Sequence, residues 1–159
     1  MDLNTEIQNA LQVLQNGGLI LYPTDTVWGI GCDATNAEAI KKVYALKQRE
    51  ESKSMIVLLN GERQFYQIFS DMPEVGWQLI EFSDKPLTLV LDEPRNVAPN
   101  LIAADNTLGM RITKDPFCSK LIERLKKPLV STSANLSGEP TPMSFKEISP
   151  AIVNGVDYV

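Results

Sequence analysis

Two apolar runs, residues 87–91 (LTLVL) and 108–112 (LGMRI), flank a stretch that cannot be helical. Residues 92–106 carry Pro94, Pro99 and scattered polar side chains with no helical period, so they read as loop. Strands joined without a crossover helix pair most simply as antiparallel neighbours. Elsewhere in the chain, helical patterns separate the apolar runs, as in βα units. The expected fold is therefore α/β: a twisted, open, mixed parallel and antiparallel sheet with flanking helices.

The individual elements follow from local signals. Leu3, Ile7, Leu11 and Leu14 repeat at helical spacing behind a Thr5/Gln8 capping-box pair, until Gly17-Gly18 ends the pattern. Residues 19–22 (LILY) read as a buried strand stopped by Pro23. Thr35 and Glu38 repeat the capping spacing and open a helix with Ile40, Val43 and Leu46 on one face. Residues 54–59 (SMIVLL) form a strand, and 62–83 one or two helices carrying Phe65, Phe69, Trp77 and Ile80. Asp115-Pro116 gives an N-cap and first-turn proline for a helix reaching about residue 127. Residues 129–131 form a strand, and Ser144 with Glu147 opens a last short helix. No repeat or linker interrupts the 159 residues, which read as one domain spanning 1–159.

Composition removes several chemistries. The chain has no histidine, so neither a Ser-His or Cys-His nucleophilic pair nor a histidine-based zinc site can form, and no metal ligands are assigned. Two cysteines are no disulfide framework and fit a reduced, cytoplasmic setting. The acidic start MDLNTEIQ is neither a secretory signal nor a transit peptide, and no apolar run has the length of a membrane span. A net charge of −5 argues against a broadly basic nucleic-acid binder.

Four polar segments sit at strand ends, where open α/β sheets collect ligand groups. PTDTVWGIG follows the first strand; a Pro-Thr-Asp turn with flexible glycines would explain it equally well, with Trp28 in the core. Residues 41–53 hold Lys41, Lys42, Lys47, Arg49 and Lys53 against Glu50 and Glu51, a local +3 that suits either a helix C-terminus or a phosphate clamp. Thr107 and Arg111 belong to TLGMRI, and an arginine in an apolar strand needs solvent or an anion. STSANLSG, residues 131–138, has four hydroxyls, an amide and a glycine, more than a turn requires. Hydroxyls and amides at a strand end can cradle phosphate without the lysine of a P-loop, and neither GxxxxGK[ST] nor GxGxxG is present.

Taken in order, PTDTVWGIGCDA, ALKQR with Lys53, TLGMRI before Asp115-Pro116, and STSANLSGEPTP resemble the YrdC-like family over residues from about 8 to 157. That resemblance implies an ATP-dependent enzyme condensing L-threonine and bicarbonate to threonylcarbamoyl-adenylate with release of pyrophosphate, Mg2+ accompanying the ATP. It implies downstream transferase proteins that modify adenosine 37 of tRNA, and a basic concave face open to tRNA or double-stranded RNA. By position, Lys47 and Arg49 match the family's Lys-x-Arg and are the candidate catalytic pair. Thr26, Arg111 and Ser131 match threonine contacts; Arg49, Lys53, Thr107, Ser133, Asn135 and Thr141 match nucleotide contacts. Leu58 stands where members often have histidine, and Ser83-Asp84-Lys85-Pro86 replaces a Pro-Gly-Pro turn while keeping its last proline. The family continues past VNGVDYV into a Ser-Thr segment that closes the site, so the resemblance implies a shortened C-terminus. The competing expectations are a non-catalytic RNA-binding module of the same fold and a carbamoyl-adenylate domain of the hydrogenase-maturation type.

Overall fold

The computed structural model describes residues 2–48 and 55–159. Helix α1 (Leu3–Gln15) starts at Asp2, whose carboxylate accepts the Thr5 amide at 2.8 Å. Thr5 therefore lies inside the first turn rather than capping it, and the carboxylate takes the place where the helix dipole favours negative charge. The start of α2 (Ala37–Lys47) is shifted in the same way. Asn36 caps it by accepting from the Ala39 amide at 3.1 Å, while the Thr35 hydroxyl donates to Asp33 at 2.7 Å.

Among the described residues six strands form one sheet: β1 (Ile20–Tyr22), β2 (Gly29–Gly31), β3 (Ile56–Leu59), β4 (Leu89–Asp92), β5 (Thr107–Ile112) and β6 (Leu129–Ser133). Their spatial order is β1, β2, β6, β3, β5, β4. Among the pairings of these six strands β3 and β5 run parallel and the other four are antiparallel, including the expected β4–β5 neighbours. Strand β2 lies in GIG, read above as flexible turn. Glycine is a poor strand former, but Gly31 is needed here because a Cβ would sit 2.7 Å from the Tyr22 ring and 2.9 Å from the Val130 carbonyl oxygen.

The remaining helices are α3 (Glu62–Ile68), α4 (Glu74–Phe82), α5 (Pro116–Leu125) and α6 (Pro150–Gly155). Asp115 caps α5, accepting from the Cys118 amide at 2.9 Å, with Pro116 at the first helical position as the sequence suggests. Ser144 and Glu147 belong instead to a single 3-10 turn, and α6 begins after Ser149.

Alternation along the strands sorts side chains between two cores. Leu21, Ile30, Val57, Leu59, Leu108, Met110 and Val130 pack on one face against Val43 of α2, Phe65 of α3 and Ile152 of α6. Phe65 meets the Phe69 and Trp77 rings there at 5.2 and 5.0 Å between centroids. On the opposite face Ile20, Tyr22, Leu58 and Leu129 pack against Ile7, Leu11 and Leu14 of α1 and Leu121 and Leu125 of α5. Tyr158 fastens that side: its carbonyl accepts from Leu21 at 2.9 Å and its hydroxyl donates to Glu6 at 2.5 Å. Among the described residues no helix is long and apolar enough to cross a membrane.

Candidate functional site

The face shared with α1 and α5 changes character along its strands, and the registers show how. One row across the sheet holds Arg111, Leu58 and Leu129, mostly apolar and close to the helices. The next holds Gly109, Ile56 and Ser131, and a third includes Ser133 beside Gly29. Side chains thus shrink from leucine to serine and glycine toward one end of the strands, leaving a trough. Gly109 is part of the cause, since a Cβ there would lie 2.8 Å from the Ile56 side chain. A cavity of about 260 Å³ results, lined by Thr24, Thr26, Trp28, Ile56, Arg111 and Ser131 among others. That is smaller than a drug-sized pocket and suits a small polar ligand.

The three residues expected to contact threonine meet in this cavity. Thr26, Arg111 and Ser131 all line it, although they come from the β1–β2 connection, β5 and β6. Arg111 Nη1 donates to the Thr26 hydroxyl at 3.4 Å, and Thr24 fixes that turn by accepting the Thr26 amide at 3.1 Å and donating to the Val27 carbonyl at 2.6 Å. Among the described residues lining the cavity, Arg111 is the charged one, so an anion would be drawn to it. Leu58, its in-register neighbour on β3, is buried at 1% exposure in the core shared with α1 and α5.

The other expected residues fall differently. Lys47 is 1% exposed and donates through its ammonium to the Thr132 hydroxyl at 2.6 Å and the Ser133 carbonyl at 2.8 Å. Its own carbonyl accepts the Ser137 amide at 2.7 Å. Lys47 is thus a strut beneath β6 and its following loop, outside the lining of the cavity. Ser133 lines the cavity, yet its hydroxyl also donates to Asn135, whose amide nitrogen donates to the Leu136 and Glu139 carbonyls at 3.0 and 2.9 Å. Gly138 closes this loop at φ +86°, a left-handed conformation suited to glycine. The polar surplus of STSANLSG is therefore shared: Thr132, Ser133 and Asn135 hold the loop, while Ser131 and Ser133 also face the trough.

Thr107 donates to Asp105 at 2.6 Å, and Thr141 is exposed; neither lines the cavity. Arg49 and Lys53 lie outside the described residues. Trp28, assigned to the core by sequence, packs against it and against Phe145 at 5.3 Å while also lining the cavity. Thr24 and Thr88, which hold the cavity's polar groups, carried no separate signal; only the strand register points to Thr88.

The two thiols play no part in this site. Burial, followed by the charge of Asp33 for Cys32 and of Asp115 for Cys118, pushes both well above the ordinary thiol range. Both are free and buried. Iodoacetamide at mildly alkaline pH should leave the folded protein unmodified and label both cysteines in denaturant, as read by intact mass. Rapid labelling of the folded chain would mean that one thiol is accessible and ionised.

The comparisons give this architecture its class. Residues 12–159 match the profile of the Sua5, YciO and YrdC proteins, described as telomere recombination, and the chain belongs to that family. Threonylcarbamoyl-AMP synthase of Pseudoalteromonas translucida is 33% identical over 99% of this chain and 86% of its own length. The enzyme of the same name from Photobacterium profundum is 34% identical over 89% of this chain and 78% of its own. The crystal structure of P. abyssi Sua5 complexed with L-threonine superposes with a TM-score of 0.90 at 27% identity, covering 99% of this chain. The chain spans about half of that protein, 46% of its length.

Proposed function

We propose that the protein is a threonylcarbamoyl-AMP synthase, an enzyme of the nucleotidyltransferase class working in the cytoplasm. The observation that carries this reading is the convergence of Arg111, Thr26 and Ser131 on one small trough. A guanidinium flanked by hydroxyls suits an amino acid whose carboxylate needs two parallel bonds and whose side chain carries a hydroxyl. Relatives named for this activity align along nearly the whole chain.

In the proposed reaction the neutral amine of threonine attacks bicarbonate, and water leaves to give an N-carboxylate. A carboxylate oxygen of that group then attacks the α-phosphorus of ATP, expelling pyrophosphate. The chain's part is mainly positioning: Arg111 holds the α-carboxylate, and Thr26 and Ser131 orient the rest of the amino acid. Arg49, Lys53, Ser133, Asn135, Thr107 and Thr141 are assigned to the nucleotide side, where cations would neutralise the departing pyrophosphate. Among the described residues no group of three acidic or cysteine side chains gathers into a cation cage. Mg2+ would accompany ATP as its counter-ion and shield phosphate charge. The product would pass to separate transferase proteins acting on tRNA.

Pyrophosphate release tests the reading. It should require ATP, threonine and bicarbonate together, and omission of any one should abolish it. Release of ADP, or turnover indifferent to threonine, would remove the proposed reaction.

A further inference from the structure

Thr88 belongs to none of the polar segments singled out in the sequence, yet it makes the best hydrogen bonds to Arg111. The antiparallel register of β4 and β5 pairs Leu89 with Met110, and one step further sets Thr88 opposite Arg111 on the same face. The Thr88 hydroxyl accepts from Arg111 Nη2 at 2.8 Å and from Nε at 3.2 Å. One oxygen with two lone pairs thereby occupies the Nε–Nη2 side of the guanidinium. The neighbour on the other flank, Leu58, offers no polar partner.

We propose that Thr88 is a positioning residue that commits the side edge of Arg111 to the protein, so that the Nη1–Nη2 end faces the substrate carboxylate. The inference rests on the threonine-site reading above and deepens it by naming what fixes the geometry. An uncommitted arginine samples many rotamers, and a ligand that must order it binds more weakly. Thr88 is suited to the task because its branched β-carbon restricts χ1 and it is half-buried beside a paired strand. Pre-ordering Arg111 lowers the ordering cost of carboxylate binding while leaving ATP untouched.

Two substitutions separate the hydroxyl from the shape. Thr88→Val keeps the branched outline and removes the acceptor; Thr88→Ser keeps the acceptor. In the ligand-free protein, the Arg111 Nε–H resonance, assigned by its loss in Arg111→Lys, should exchange with water faster in Thr88→Val. Loss of a hydrogen bond to a charged group should raise the threonine KM of Thr88→Val about tenfold. Thr88→Ser should recover most of that loss, with the ATP KM and melting temperature close to wild type in both. Unchanged threonine KM and Nε–H exchange in Thr88→Val, beside a normal wild type, would overturn the Thr88 assignment alone. Equal losses for ATP and threonine, or a Thr88→Ser variant as impaired as Thr88→Val, would overturn it too. A wild type with no threonine dependence would overturn both the Thr88 assignment and the proposed function.

Discussion

Replacing Lys47 with methionine should destabilise the protein by about 3 kcal/mol, because a buried, hydrogen-bonded ammonium would be lost and its acceptors left short of donors. Methionine keeps much of the side-chain volume, so the effect isolates the ammonium from the packing of its stem. The acceptors are specific: the Thr132 hydroxyl at 2.6 Å and the Ser133 carbonyl at 2.8 Å, both at the end of β6. With a typical urea slope the unfolding midpoint should fall on the order of 1.5 M. Lys42, exposed on the same helix, gives the control, and Lys42→Met should leave the midpoint nearly unchanged.

A double mutant adds the stricter check. Thr132→Val removes one of these acceptors, so its cost and that of Lys47→Met should sum to more than the double mutant loses. Activity should decline with stability, since Ser133 lines the cavity and its loop hangs from the same strut. Should Lys47→Met unfold at the wild-type urea concentration while turnover disappears, the ammonium would act in the chemistry itself and the strut would be the wrong description.

Lys47 also marks the limit of what the sequence made legible. Its charge and its place in a cation-rich stretch were visible, but burial depends on β6 crossing beneath the end of α2, a contact between residues 85 positions apart. Local patterns succeeded where the cause was local. The Asp115-Pro116 start of α5 and the apolar runs of β3 to β5 were found because capping and strand burial act within a few residues. Strand β2 escaped because GIG has no strand signal of its own: Gly31 is set by the Tyr22 ring and the Val130 carbonyl, which arrive from elsewhere. The capping pairs at Thr5 and Thr35 marked the right helices but the wrong caps, because Asp2 and Asn36 also carry suitable acceptors. Within the site, Thr26, Arg111 and Ser131 could be nominated one at a time, and their meeting required the sheet order. Thr88 needed the register as well.

Arg111→Lys should raise the threonine KM on the order of fiftyfold, since lysine keeps the charge but can supply only one of two charge-assisted bonds to a carboxylate. The ATP KM should move little and kcat should be nearly retained, the pattern expected when uniform binding of one substrate is lost. A competing role must be weighed, because Arg111 bridges β5 to Thr88 and to the Thr26 turn. If those contacts mainly brace the sheet, lysine would lower the melting temperature and impair both substrates together. The structure favours the selective outcome: the guanidinium is only half-buried, and its partners are two hydroxyls on the trough side rather than core groups. Such contacts contribute modestly to folding, whereas a carboxylate arriving in a trough lined by Ile56 and Trp28 would depend on this cation. Steady-state kinetics for each substrate, with a melting curve on the same sample, separates the two. Equal losses for ATP and threonine, with a lower melting temperature, would make Arg111 a brace of the sheet and remove it from carboxylate binding.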